Sequence, residues 1–115
     1  MEIQDRTLNF AIRAAKLVRK ISRDLSLRII CKQLLRSATS IGANMREADS
    51  ASSRKDFINK VFISKKEAQE TEYWLEVIKG AEFLHNEENK KEVEQLIIEC
   101  KEIILILAAI IRKSK

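Results

Sequence analysis

A chain of 115 residues with no proline and only two glycines has room for one apolar core, and too few turn-forming residues for a sandwich or barrel built on tight hairpins. Ala, Leu, Glu, Lys and Arg dominate, the composition of long helices, so the expected class is all-α. Its 22 Lys and Arg against 17 Asp and Glu give a formal charge of +5, and its single histidine, His85, leaves serine–histidine or cysteine–histidine catalysis without an obvious base.

In chain order, apolar periodicity predicts four helices. From about Asp5 to Arg23, Leu8, Ala11, Ala15, Val18 and Ser22 recur at three- and four-residue steps, and Phe10, Ala14, Leu17 and Ile21 widen them into one broad face. Asp5 is of the capping type. From about Leu25 to Asp49, the positions Leu27, Ile30, Leu34, Ala38, Ile41, Met45 and Ala48 repeat without a break. Gly42 is therefore expected inside a helix, at a cost of about 1 kcal/mol relative to alanine, with close approach of a neighbouring backbone as its compensation. Ser37, Ser40, Asn44 and Glu47 form a polar line at the margin of that stripe, where partial burial demands hydrogen-bond partners. Lys66, Glu67, Glu70 and Trp74 hold comparable marginal positions on the next helix and are the partners considered for it.

The polar stretch DSASS is the central loop, and Ser53 with Asp56 makes a start resembling a capping box for a third helix over about 54–83. That helix carries Phe57, Val61, Ser64, Ala68, Thr71, Leu75 and Ile78, then frays near Gly80 to Leu84. Asn86 is expected to cap the fourth, over about 87–112, with Glu87 and Glu88 favourably placed against its dipole. Its stripe is Val93, Leu96, Ile97, Cys100, Ile104, Leu107 and Ile111. Long helices on short connections predict an antiparallel up-down-up-down four-helix bundle of one domain.

In IILILAAII, Ile103 to Ile111, nine apolar residues run consecutively. Ile98, Leu105 and Ala109 lie across the helix from the main stripe, and one bundle cannot bury both sides, so these three are the expected interface of a homo-oligomer. Nine residues are too few to span a bilayer. The opening MEIQDRTLNFAIRAAK has no apolar run or small-residue cleavage site of a signal peptide. Cys31 and Cys100 fall at apolar positions without metal spacing, so they read as reduced core residues. The expectation is a soluble cytoplasmic protein with no membrane attachment.

Charge divides the chain. Residues 1–66 hold fifteen Lys and Arg against six Asp and Glu, and the remainder seven against eleven. Arg6, Arg13, Lys16, Lys20 and Arg23 align as a ridge opposite the apolar face of the first helix, with Arg19 at its edge. Without facing acids on the same helix, such a ridge can neutralise several phosphates, in a manner that weakens steeply with salt. No aromatic residue interleaves it, which favours backbone or shape recognition over stacking of unpaired bases. Catalytic and metal constellations are scarce. Glu82-x-x-His85 is one half of a di-iron carboxylate pattern with no second histidine to complete it, no glycine-rich phosphate loop is present, and Glu67, Glu70 and Glu72 suit pairs with neighbouring Lys and Arg. No metal or cofactor is expected, and no enzyme.

The run LLRSATSIGANMREADSASSRKDFINKVFISKKEAQETEYWLEVI, Leu34 to Ile78, resembles the four-helix-bundle family named for proteins encoded by intervening sequences in bacterial large-subunit ribosomal RNA genes. The elements that carry the resemblance are Ser-Ile-Gly-Ala-Asn at Ser40 to Asn44, Glu47-Ala48, Ser53-x-x-Asp56-Phe57-Ile58, and Lys66-Glu67-Ala68 leading to Glu70-Thr71-x-Tyr73-Trp74-Leu75. Arg46 and Asp49 stand where small residues are common in that family. The accessory proteins of diversity-generating retroelements are similar in fold, and the resemblance implies a pentameric, barrel-like assembly with a basic surface for nucleic acid and a reverse transcriptase. Two expectations follow: a homo-oligomer, pentameric by that resemblance, binding structured RNA or DNA through Arg6, Arg13, Lys16, Arg19, Lys20 and Arg23, or a scaffold for an element-encoded protein partner in which the ridge serves docking.

Overall fold

The computed structural model describes residues 2–115. Its helices are α1 (Ile3–Ile21), α2 (Leu25–Asp49), α3 (Arg54–Gly80) and α4 (Glu87–Ser114), and there is no strand among the described residues. Each helix packs on two others in a closed cycle, α1 on α2 and α4, α3 on α2 and α4, while across the diagonals no Cα atoms come within 8 Å of one another. Four rods thus stand at the corners of a square around one core, in a particle of 46 × 21 × 20 Å, its length close to the roughly 42 Å of a 28-residue helix. Residue numbers rise along α1 as they fall along α4, for Arg6 reaches Glu99 and Glu102, Arg13 reaches Glu92 and Lys20 faces Glu88.

Caps account for the boundaries. Asp24 accepts from the Leu27 amide, Ser53 from Asp56 and Asn86 from Asn89, each satisfying a donor that the first helical turn leaves free. The Asp56 carboxylate in turn accepts from the Ser52 amide. Asp5 does not cap α1. That helix begins two residues earlier, at Ile3 behind Glu2, and Asp5 sits in its first turn, where its charge still suits the dipole. At the far end, α3 stops at Gly80 instead of continuing to residue 83, and the chain turns through Glu82 at φ 58°. A left-handed conformation costs a residue with a Cβ about 1–2 kcal/mol, so Glu82→Gly is expected to raise the unfolding free energy by about 1 kcal/mol, measurable as an increased midpoint in urea.

The inward face of α1 is Thr7, Phe10, Ala14, Leu17 and Ile21. Leu8 and Ala15, read from spacing as part of the principal stripe, are exposed, and Val18 is half-buried. The rotation that buries Phe10 and Ile21 also points Arg6 and Arg13 at the carboxylates of α4, so burial and ion pairing select the same face. Phe10 and Leu17 share one buried core with Leu34, Ala38 and Ile41 of α2, Val61, Ala68, Leu75 and Ile78 of α3, and Leu96, Ile103 and Leu107 of α4. Cys31 and Cys100 are buried free thiols. Cys100 Sγ lies 3.1 Å from the Ala68 carbonyl and donates to it, and burial pushes this thiol up to about 12, which keeps it protonated and unreactive at neutral pH.

Gly42 lies inside α2, as its spacing predicts, and α1 passes it at Thr7. A Cβ at this position would meet the Thr7 backbone and hydroxyl at 3.5 Å, an ordinary van der Waals contact. The expected close approach is present, but it does not require glycine. Gly42→Ala is accordingly expected to stabilise the fold by about 1 kcal/mol through helix propensity, seen as a raised thermal midpoint with an unchanged helical spectrum.

The polar line of α2 divides between neighbours. Ser37 is buried, accepts from the Thr71 hydroxyl at 2.8 Å and donates to the Leu34 carbonyl. Glu47 takes Lys60 at 2.8 Å. Ser40 and Asn44 stay on their own helix, donating to Arg36 and Ser40 carbonyls. The answering residues on α3 are therefore Lys60 and Thr71, joined by Ser64, which donates to the Ile41 carbonyl. Glu67 and Glu70 instead receive Arg36. Trp74 Nε1 donates to Glu70, and this bond together with Arg36 holds the Glu70 carboxyl below the usual carboxylate range.

Candidate nucleic-acid interface

The six cations expected to form one ridge separate into two sets once α1 is rotated into the bundle. Arg6, Arg13 and Lys20 step by seven residues along the side of α1 that faces α4. Arg6 donates to Glu99 through Nε at 2.9 Å and Nη2 at 2.6 Å, and to Glu102 at 3.0 Å. These hydrogen-bonded carboxylates, Glu99 first, raise the guanidinium's affinity for its proton further. Arg13 forks onto Glu92 at 3.2 and 3.0 Å, a bidentate geometry that fixes direction as well as charge. Lys20 approaches Glu88 at 4.0 Å, with both side chains mostly exposed. Arg6 and Arg13 are therefore a seam between helices whose charge is already balanced.

Lys16, Arg19 and Arg23 form the second set. Lys16 and Arg19 are exposed on α1 and Arg23 is exposed in the connection that follows it, and none of the three makes an ion pair with a described residue. Across the α1–α2 connection stand Arg28 and Lys32 of α2, also exposed and also without an ion pair among the described residues. Five cations without an ion pair among the described residues thus lie along the α1–α2 hairpin between Lys16 and Lys32, and Arg19 and Arg23 line one hollow with Lys20 and Glu88. Spacing along a single helix misses Arg28 and Lys32 because they lie on another element; the short α1–α2 connection is the clue that brings them together. The α4 acids were legible too. Glu92 and Glu99 repeat the seven-residue step of Arg6, Arg13 and Lys20, a complementary register of the kind that pairs neighbouring helices.

The remaining expected positions fall as follows. Ile98 and Leu105 are 59% and 69% exposed on the back of α4, while Ala109 beside them is half-buried. Leu8 and Ile12 are exposed on the back of α1. Glu72 faces Lys101 at 3.9 Å, and with Arg36 on Glu67 and Glu70 all three of these α3 carboxylates are engaged between helices. Glu82 and His85 are exposed in the α3–α4 connection, and among the described residues no three His, Cys, Asp or Glu side chains cluster to hold a metal ion. Among those residues no helix is long and apolar enough to cross a membrane.

The family model described as 23S rRNA-intervening sequence protein matches residues 1–109 of this chain. A solved structure of a protein of unknown function from the S23 ribosomal protein family of Bacteroides thetaiotaomicron is 42% identical to it, covers 96% of this chain and 98% of its own, and superposes with a TM-score of 0.86. No curated protein matches.

Proposed function

From the premise that the chain belongs to the 23S rRNA-intervening sequence protein family, we propose that it is a non-enzymatic, cytoplasmic, up-down-up-down antiparallel bundle that assembles into a homo-oligomer and binds structured RNA or DNA. The observation that carries this reading is the cluster of Lys16, Arg19, Arg23, Arg28 and Lys32, five cations with no carboxylate partner among the described residues. No exposed large aromatic residue lies among them, since Phe62 and Tyr73 are both on α3, so phosphates are the groups they suit. One cluster of five charges binds weakly. Repeated around a ring it binds cooperatively, each further contact being intramolecular.

Assembly is supported by the exposed stripe Ile98 and Leu105, with Ala109 at its edge, on α4 and by a second one, Leu8 and Ile12, on α1. Two different apolar faces on different corners of the square suit a head-to-tail contact, which closes into a ring when the rotation permits; five is the number proposed, after the likeness in fold to the accessory proteins of diversity-generating retroelements. The test is equilibrium binding of a structured RNA to the wild-type protein and to a Lys16→Glu, Arg19→Glu, Arg23→Glu variant across a salt series. Unchanged affinity in the variant defeats the proposal.

A protein partner, such as an element-encoded reverse transcriptase, is a second reading with its own support. Leu25 and Ile29 are 66% and 60% exposed on α2, beside Arg28 and Lys32, and a mixed apolar and basic surface suits a protein face better than a bare phosphate backbone. Replacing Leu25 and Ile29 with serine leaves RNA affinity intact under the first reading.

A further inference from the structure

A second cationic surface lies at the opposite end of the rod, where the start of α3 meets the end of α4. A groove of about 870 Å³ there has an apolar floor of Ile58, Phe62, Ala108 and Ile111 and is edged by Lys55, Lys65, Arg112 and Lys115. None of those four cations makes an ion pair with a described residue, and the one acidic side chain in the lining, Asp56, accepts from the Ser52 amide. Phe62 is 46% exposed, and the ammonium groups of Lys65 and Lys66 stand 6.0 and 5.9 Å from its ring centroid.

We propose that this α3–α4 groove binds unpaired nucleotides of RNA or DNA, one base stacking on Phe62 while Lys65, Lys66 and Arg112 hold the flanking phosphates. An exposed aromatic ring set among uncompensated cations is the combination that single-strand readers use, stacking supplying contact with any base and the cations following the backbone. The size fits, since the groove falls within the range of small-ligand sites and holds a nucleotide. Charge decides against a second copy of this chain as the occupant. An identical chain carries a formal charge of +5 and would add positive charge to the groove, whereas a polynucleotide brings one negative charge per residue. Because the two cationic surfaces occupy opposite ends of a 46 Å rod, one protein molecule can hold a duplex at one end and an adjoining loop at the other.

The test uses the full chain, a fluorescent unstructured pyrimidine oligonucleotide and a hairpin RNA with a closed, short loop, with circular dichroism and light scattering on every variant. Phe62→Ala is expected to weaken binding of the unstructured oligonucleotide by about tenfold or more and to leave hairpin binding within about twofold; Phe62→Trp restores or strengthens it. Lys65→Glu with Arg112→Glu steepens the loss. Unchanged oligonucleotide affinity in Phe62→Ala overturns the inference, and so does a fall in particle mass in that variant, which would assign the groove to a second copy. Failure of the α1–α2 surface shows itself separately, as hairpin binding that ignores the Lys16, Arg19 and Arg23 reversals.

Discussion

Reversing Lys16, Arg19 and Arg23 to glutamate is expected to lower affinity for a structured RNA by about a hundredfold or more at low salt and to flatten the dependence on salt concentration. Each of these side chains is exposed and without an ion pair among the described residues, so its counterions are released only when phosphate arrives. Arg6 and Arg13 provide the control. Their charges are already met by Glu99, Glu102 and Glu92, and replacing both with methionine should leave the salt slope in place. The penalty appears in stability instead: Arg6 and Glu99 are mostly covered, with side-chain exposures of 20% and 23%, and stranding that carboxylate costs about 1–2 kcal/mol. Affinity and stability thus respond to different members of what looks, on a helical projection, like one ridge. Equal loss of binding from both sets of substitutions would show that the seam opens to admit phosphate.

Ile98→Glu combined with Leu105→Glu is expected to reduce the particle in solution to a single chain of 13.3 kDa. Both side chains stand more than half exposed on the back of α4, away from the core formed by Leu96, Cys100, Ile103 and Leu107, so the bundle itself should keep its helical spectrum and its cooperative melt. The isolated variant retains its five outward cations and loses their repetition, and its affinity for structured RNA should fall by at least about tenfold through the loss of multivalent contact. Light scattering and anisotropy on the same samples check both parts. An unchanged mass would place the interface elsewhere, with Leu8 and Ile12 as the next surface to disrupt.

The four helices were legible because their apolar steps are long and regular, and because Ser53 and Asn86 cap at the positions their types suggest; the cap Asp24 makes on α2 appears only in the structure. Boundaries were less so where no cap acts: α1 begins behind Glu2 without a side-chain cap, and α3 ends at Gly80 although the left-handed turn falls on Glu82. The face of α1 was blurred by a surplus of apolar residues, since Leu8, Ile12 and Ala15 continue the pattern onto the exposed side, and only the partner helix decides which set turns inward. The same uncertainty carried into the candidate site. Periodicity places cations on a helix, but their availability depends on acids about ninety residues away, on α4, and on Arg28 and Lys32 across a connection. The α3–α4 groove was invisible for a related reason: Phe62, Lys65 and Arg112 belong to two helices, and no spacing within either brings them together.

The most direct measurement is the mass of the particle by light scattering, alone and with an equimolar structured RNA, at low and moderate salt. Binding by pooled outward cations requires an assembly of several chains before RNA is added, a gain in mass corresponding to bound RNA at low salt, and loss of that gain as salt rises. A single chain of 13.3 kDa whose mass stays the same in the presence of RNA at both salt concentrations would contradict it.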